Sequence, residues 1–344
     1  MDQITIKDIA KALNLSNSTV SRALKSSYQI SQATQNLVKQ YAQQHNYRPN
    51  VLAQSLKSRK SKSIGVLFPA VANNFFAEVM NGIESIANKR NYQVIISQTH
   101  ESSQRELENL KHLLLRSVDG MLISFASETT DVSYISELHA EGFPVVFFDR
   151  VIDQVNTHRV VADNAGGSYN ATMHLAQMGY KRIAHITSSP NISITNERLT
   201  GYKKAIAENG MRVNHDYIKY CPYGGMNAVE VETAINELLD MDEPPDAVVT
   251  ASDRITIKCF SALKKKGISI PQQIALVGFS NFSAPELFDP SLTTVQQPAF
   301  EIGKTAVELL LQLIENKKKV TQFEKTILPT ELFIRNSSLS KQAL

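Results

Sequence analysis

The 344-residue chain holds only two cysteines. No apolar run in it approaches the roughly 20 residues that a membrane span needs. Cys221 and Cys259 have no histidine or cysteine neighbours at metal-ligand spacing, so neither a zinc site nor a disulfide framework is expected, and both read as buried, neutral thiols. The first residues lack a basic stretch leading into an apolar one, so no export signal is expected and a cytoplasmic location follows. Signatures of catalysis are missing too: no "GxSxG" elbow, no phosphate loop ending "GK[ST]", no "GxGxxG" after a strand and no "HExxH". The eight histidines form no ligand cluster, and "AGGSY" at Ala165 reads as the tight start of a helix. Catalytic residues, a metal and a cofactor are therefore not expected, and neither is an enzyme.

What is present suffices for two or three domains, since 42% of the residues are hydrophobic. The net charge of +3 conceals an asymmetry. Residues 1–62 carry ten basic groups against two acidic ones, Asp2 and Asp8, whereas the remainder carries 26 basic and 31 acidic groups. A basic head on a mildly acidic body is the electrostatic footprint of a module that meets a polyanion.

The head has helical periodicity. Thr5 is placed to cap a helix with Asp8 three residues on, and Ile6, Ile9, Ala10 and Leu13 recur on one face. Asn14 suits the left-handed conformation that ends a helix, and Ser16 caps a second helix that turns Val20, Ala23 and Leu24 inward. Asn17, Ser18, Ser21 and Arg22 then fall on the other side or at the exposed helix start. These residue types hydrogen-bond base edges and phosphates, and an arginine pairs bidentately with guanine. A third helix, capped by Ser31 or Thr34, is expected to bury Leu37, Val38, Tyr41 and Ala42. Beyond it, Pro49 suits a first helical position, and Leu52, Ala53 and Leu56 line one side of two turns too short and basic to be stable alone. This reads as a hinge that becomes helical when two copies pair on DNA, with Leu56 wedged into a minor-groove step.

Through "TIKDIAKALNLSNSTVSRAL", "YRPN" and "LAQSLKSRKS", residues 1–62 resemble the LacI/GalR family of bacterial transcriptional regulators. The resemblance implies that the helix starting near Ser16 enters the major groove, with Asn17, Ser18 and Arg22 in base-reading positions. Thr5, Ser16, Thr19 and Ser21 join the DNA-binding set, followed by Asn50, Ala53 and the intercalating Leu56.

From Ile64 onward, apolar runs such as "SIGVLFP", "YQVIISQ", "FPVVFFD", "KRIAHITSS" and "IALVGFSN" alternate with helical segments, among them 75–90, 104–116 and 165–178. Strands so continuously apolar are covered on both faces, as in parallel sheets. Two doubly wound α/β lobes result, with ligands expected in a cleft outside the carboxyl ends of the strands. The resemblance implies a periplasmic-binding-protein-like core in which the chain crosses between lobes three times. The expected division is a helix-turn-helix domain at 1–48, a hinge helix and linker at 49–62, and a core at 63–340. Within the core, lobe one is 63–161 with 292–323 and lobe two is 162–291 with 324–340.

The strand ends collect aromatic, carboxylate and guanidinium groups that suit a polyhydroxylated or planar ligand. By resemblance, effector contacts fall on Phe75 or Phe76, Asp149, Arg198, Tyr223 and Asp253, with Arg150 from the same loop as Asp149. In "VGFSN", Ser280 stands where many family members have an aspartate. The exchange removes a negative charge, which favours a sugar or sugar derivative that is itself acidic, such as a uronate. The expectation is a homodimeric repressor on palindromic operator DNA, controlled by a small molecule, with a sugar-type effector ahead of a nucleobase or other metabolite. A soluble sugar-binding protein or an enzyme on the same core is the alternative of another class, and the basic head speaks against it.

Overall fold

The computed structural model describes residues 4–47, 60–71, 74–316 and 320–339. The chain divides into two compact units, Met1–Ser61 and Lys62–Leu344.

In the first unit, α1 (Ile6–Ala12), α2 (Asn17–Leu24) and α3 (Gln32–Gln44) surround a small core of Ile9, Ala10, Val20, Ala23, Val38 and Ala42. Thr5 and Asp8 form a reciprocal capping box. The Thr5 amide donates to Asp8 Oδ2 at 2.9 Å and the Asp8 amide returns to Thr5 Oγ1 at 3.4 Å. Asn14 takes φ 52° between α1 and α2, the left-handed turn that its short polar side chain tolerates. Ser31 rather than Thr34 caps α3. One expectation fails here, because Leu37 is 50% exposed. The inward stripe of α3 is Gln35, Val38 and Ala42 at helical spacing, which leaves Leu37 on the flank. Gln35 is buried because its amide donates to the Ser27 and Ile30 carbonyls, at 3.0 and 2.9 Å, and so satisfies the turn between α2 and α3.

The second unit contains two six-stranded sheets among the described residues. Lobe one uses β1 (Ser63–Phe68), β2 (Gln93–Gln98), β3 (Met121–Ile123), β4 (Val145–Phe148), β5 (Arg159–Ala162) and β11 (Lys325–Leu328), all parallel, in the order β11-β5-β4-β3-β1-β2. Lobe two uses β6 (Ile183–Thr187), β7 (Ile218–Tyr220), β8 (Ala247–Thr250), β9 (Ala275–Phe279), β10 (Thr293–Gln296) and β12 (Glu331–Phe333). Their order is β12-β10-β9-β8-β6-β7, with only β12 antiparallel.

Among the described residues, eight helices cover these sheets: α4 (Asn74–Ala87), α5 (Ser103–Leu115), α6 (Ser133–Ala140), α7 (Asn164–Gln177), α8 (Ser193–Glu208), α9 (Ala228–Leu239), α10 (Asp253–Lys265) and α11 (Ala299–Glu315). Each sheet has a hydrophobic cluster on each face. In lobe one, Val66 and Phe68 point into the cluster under α4 and α11, while Leu67 points into the one under α5 and α6. In lobe two, α7 and α8 cover one face and α9 and α10 the other. Both cysteines lie in the latter cluster as free thiols, and burial pushes Cys221 up to about 12.

The sheets correct two lobe boundaries. β10 pairs with β9 and β12, and so belongs to lobe two, whereas the expectation returned the chain to lobe one at Leu292. β11 pairs with β5, and so belongs to lobe one rather than lobe two. The second crossing therefore falls after Gln296 and the third after Leu328. An apolar strand pattern carries no address, and only hydrogen-bond pairing states which sheet edge it extends.

Glycines allow the helix pairs over these sheets to meet backbone to backbone. A Cβ on Gly303 of α11 would lie 2.0 Å from the Val79 carbonyl oxygen of α4, and one on Gly82 would lie 2.1 Å from that of Phe300. Gly201 of α8 stands in the same relation to Ala165 of α7, at 2.0 Å. Gly303→Ala is therefore expected to force α4 and α11 apart and to cost about 1–3 kcal/mol. Urea unfolding of the full chain checks this, and an unchanged midpoint would refute the close approach.

Candidate DNA interface and interlobe cleft

Two regions hold the expected functional residues. In the first unit, Ser16 caps α2, and its hydroxyl contacts Ser18 Oγ and Thr19 Oγ1, each at 2.8 Å. Thr5, Ser16, Ser18 and Thr19 thus hold the helix starts in shape, and Ser21 is half-buried. Asn17 and Arg22 are exposed on α2, and their side chains make no hydrogen bond or ion pair among the described residues. Donors on an exposed helix with no internal partner are free to meet base edges. In the turn after α2, Tyr28 is 93% exposed. Asn50, Ala53 and Leu56 lie outside the described residues.

The second region lies where the two sheets point their carboxyl ends at each other. β4 runs into Asp149 and Arg150, β8 runs into Ser252, Asp253 and Arg254, and β9 runs into Ser280 and Asn281. Arg198, in the second turn of α8, is 3% exposed. Its Nε and Nη2 donate to Asn164 Oδ1 at 2.9 and 2.7 Å, Nη2 also to Gln297 Oε1 at 2.6 Å, and Nη1 to the Ala251 carbonyl. The guanidinium lies 4.2 Å from the Phe279 ring centroid. Asn164 follows the first crossing between lobes and Gln297 sits on the second, so one buried cation ties two crossings together. Burial lowers its pKa to about 10, partly offset by the fields of Asp149 and Glu197.

Asp253 joins the lobes from the other side. It accepts from the Asn281 amide at 2.9 Å, from the Ser280 hydroxyl and from the backbone of Phe75 in lobe one. Asn281 in turn donates to Glu78 Oε2 of α4 at 3.0 Å and to the Gln297 carbonyl at 2.8 Å. Burial raises the carboxyls of both Asp149 and Asp253, and Asp149 holds φ 58°, an uncommon backbone for a residue that is not glycine. Arg150 is paired with Glu101, Nη1 to Oε2 at 2.6 Å. Burial pushes the Glu101 carboxyl up, but Arg150 and the Ser127 amide outweigh that and hold it below its usual range.

The space between the lobes is about 30 Å³, lined from lobe one by Phe76, Glu101 and Arg150 among others and from lobe two by Ser188, Ser252 and Arg254 among others. It has room for a few water molecules at most, so a sugar-sized molecule enters only with the lobes parted. Of the expected contacts, Phe76 and Arg150 line this space. Phe75 packs in the core and contributes its backbone, while Arg198, Asp149, Asp253 and Ser280 are buried in the polar network behind it. Tyr223 is not brought in. Glu230 accepts from the Tyr223 and Gly225 amides, at 3.0 and 2.6 Å, and fixes the loop with the tyrosine 54% exposed, so that Gly224 lines the space instead. Glu101, Asn164, Asn281, Gln297 and Arg254 were missed, because each becomes significant only through a partner distant in sequence.

A helix-turn-helix unit on the same chain as a two-lobed α/β core, with a polar cleft at its strand ends, defines a ligand-controlled DNA-binding regulator. Residues 5–50 match the bacterial regulatory proteins of the lacI family, and residues 61–336 match the periplasmic binding proteins and sugar binding domain of the LacI family. The chain belongs to the LacI family of DNA-binding transcriptional repressors with an effector-binding core. It is 33% identical to the ribose operon repressor of Haemophilus influenzae, over 98% of this chain and 99% of that one. Its fold is similar to the lac repressor dimer bound to operator and the anti-inducer ONPF, with a TM-score of 0.84 at 24% identity, covering 98% of this chain and 100% of that one. A LacI family regulator from Enterococcus faecium with bound ribose matches at a TM-score of 0.69 and 29% identity, covering 80% and 98%.

Arg22→Ala is expected to weaken operator binding by about 1–3 kcal/mol and to relax base preference at one position of each half-site. Selection from random DNA with wild type and variant reads this out, and identical selected sequences would exclude Arg22 from base reading.

Proposed function

We propose that this regulator is a homodimeric repressor in the cytoplasm, without catalytic activity, whose affinity for a palindromic operator is set by a sugar or sugar derivative bound between the lobes. Asn17, Ser18 and Arg22 read bases, supported by Thr5, Ser16, Thr19 and Ser21, with Asn50, Ala53 and Leu56 completing the DNA contacts. The observation that carries the effector reading is the Arg198 clamp. A guanidinium has five N–H donors and four of these bonds go to the protein, so a ligand that engages Arg198 acts directly on the groups holding two crossings together. Phe76 offers a ring face to a sugar, while Asp149, Asp253 and Arg150 supply groups that fork onto hydroxyls. The names of the ribose operon repressor and of the ribose-bound regulator support a sugar-type effector.

Support for the dimer comes from the edge strands. A groove of about 720 Å³ runs beside β2 and α5, where Ile96 and Leu115 are 45% and 82% exposed. Lobe two repeats the pattern beside its own edge strand β7, with Tyr220 and Val229 at 44% and 61%. Unpaired apolar strand edges need cover, and a second copy of this chain supplies it on both lobes at once under a twofold axis. The operator-bound dimer of the lac repressor has the same fold.

Fluorescence polarisation of labelled, selected operator DNA, repeated over a panel of sugars, sugar acids, sugar phosphates and nucleobases, tests the effector reading. One class of compound is expected to shift the operator affinity, and Arg198→Ala to abolish that shift while DNA binding without effector persists. An intact shift in Arg198→Ala would move the site elsewhere. Ile96→Glu is expected to yield monomers in sedimentation velocity and to weaken operator binding, and an unchanged dimer would remove the β2 edge from the interface.

A further inference from the structure

The interlobe space has more positive charge on its walls than its own carboxylates answer. On lobe one, Arg150 spends Nη1 on Glu101, while its buried Nε finds no hydrogen-bond partner among the described residues. On lobe two, Arg254 stands in the first turn of α10, half-buried, and its guanidinium makes no hydrogen bond or ion pair among the described residues. Both arginines line the same space, together with Ser188 and Ser252. Arg198 lies behind them in the fields of Asp149, Glu197 and Asp253. Arg254 is thus the one of these three cations whose side chain has neither a hydrogen bond nor an ion pair among the described residues. A half-buried guanidinium with a free planar fork is matched in shape and charge by a carboxylate.

Resting on the reading that an effector binds between the lobes, we infer that this effector is a sugar acid, a polyhydroxylated molecule with a single carboxylate held by Arg254 from lobe two and faced by Arg150 from lobe one. One negative charge answers the one unmatched guanidinium. A phosphate dianion would set a second charge beside the Glu101 carboxylate, which already lines the space. Ser280 fits the same ligand. Its hydroxyl is committed to Asp253, whereas an aspartate there would place another negative charge next to Asp253 and near the bound acid.

Calorimetric titration of the full chain tests the inference, with D-glucuronate, D-galacturonate and D-gluconate each run beside its neutral parent sugar, and ribose and ribose 5-phosphate as further arms. At least one sugar acid is expected to bind about tenfold or more tightly than its parent, the scale of a charge-assisted hydrogen bond. Arg254→Gln is expected to erase that preference and Arg254→Lys to keep part of it. A neutral sugar or the sugar phosphate binding as well as or better than the sugar acids would overturn the inference, as would a preference that survives Arg254→Gln, or no heat from any sugar acid. Neutral-sugar binding that is lost in Arg198→Ala would overturn the acid while leaving the interlobe site in place. Sugar-acid binding that survives both Arg198→Ala and Arg254→Gln would remove both readings.

Discussion

The buried guanidinium of Arg198 is the constraint on which the core depends. Taking a cation out of water costs several kcal/mol, and the cost is offset only where its donors are satisfied. Here they are satisfied by groups on different legs of the chain: Asn164 after the first crossing, Gln297 on the second, and the Ala251 carbonyl at the end of β8. The first two crossings are therefore tied to one cation rather than running as separate linkers. Asn281 reinforces this tie, since one amide reaches both Glu78 of lobe one and the Gln297 carbonyl.

Around this clamp, the carboxylates are held by geometry rather than by exposure to water. Asp253 accepts from the Ser280 hydroxyl, the Asn281 amide and the Phe75 backbone, and burial still raises its pKa. Glu106, one step further from the cleft, is raised by burial against bonds from the Ala126 amide, Thr129 and Tyr134. Glu101 departs downward because it faces Arg150 at 2.6 Å. The wall of lobe one is thus a fixed ion pair backed by a second carboxyl, and a rigid wall is what a ligand needs if contact energy is to move a lobe rather than a side chain.

Much of this was legible in the sequence, for identifiable reasons. The capping box at Thr5 and Asp8, the left-handed Asn14 and the apolar strands all follow local rules, and the structure agrees with each. Helix bounds expected at 104–116 and 165–178 were within one residue of Ser103–Leu115 and Asn164–Gln177. What failed was non-local. Whether β10 and β11 extend one sheet or the other depends on pairing across more than a hundred residues for β11, and no periodicity encodes it. Leu37 failed because Gln35 took the inward position by closing two loop carbonyls. Tyr223 and Arg254 were misplaced for the same kind of reason: Glu230 fixes the loop of one away from the interlobe space, and the other lines that space with no hydrogen bond or ion pair to its side chain among the described residues.

That freedom bears on how binding between the lobes influences DNA. A ligand shifts an equilibrium only by the difference in its affinity for the two states, and couplings between sites typically amount to about 1–3 kcal/mol. Contacts confined to one lobe are made equally well whether the lobes are together or apart, and contribute nothing to that difference. Arg150 and Arg254 belong to opposite lobes and line one space. An anion that engaged both would gain its second charged contact only as the lobes close around it, so its affinity would differ between the two lobe arrangements. By linkage, an effector that changes operator affinity has its own affinity changed by the operator by the same factor, because the coupling is a property of the two lobe arrangements and not of either ligand.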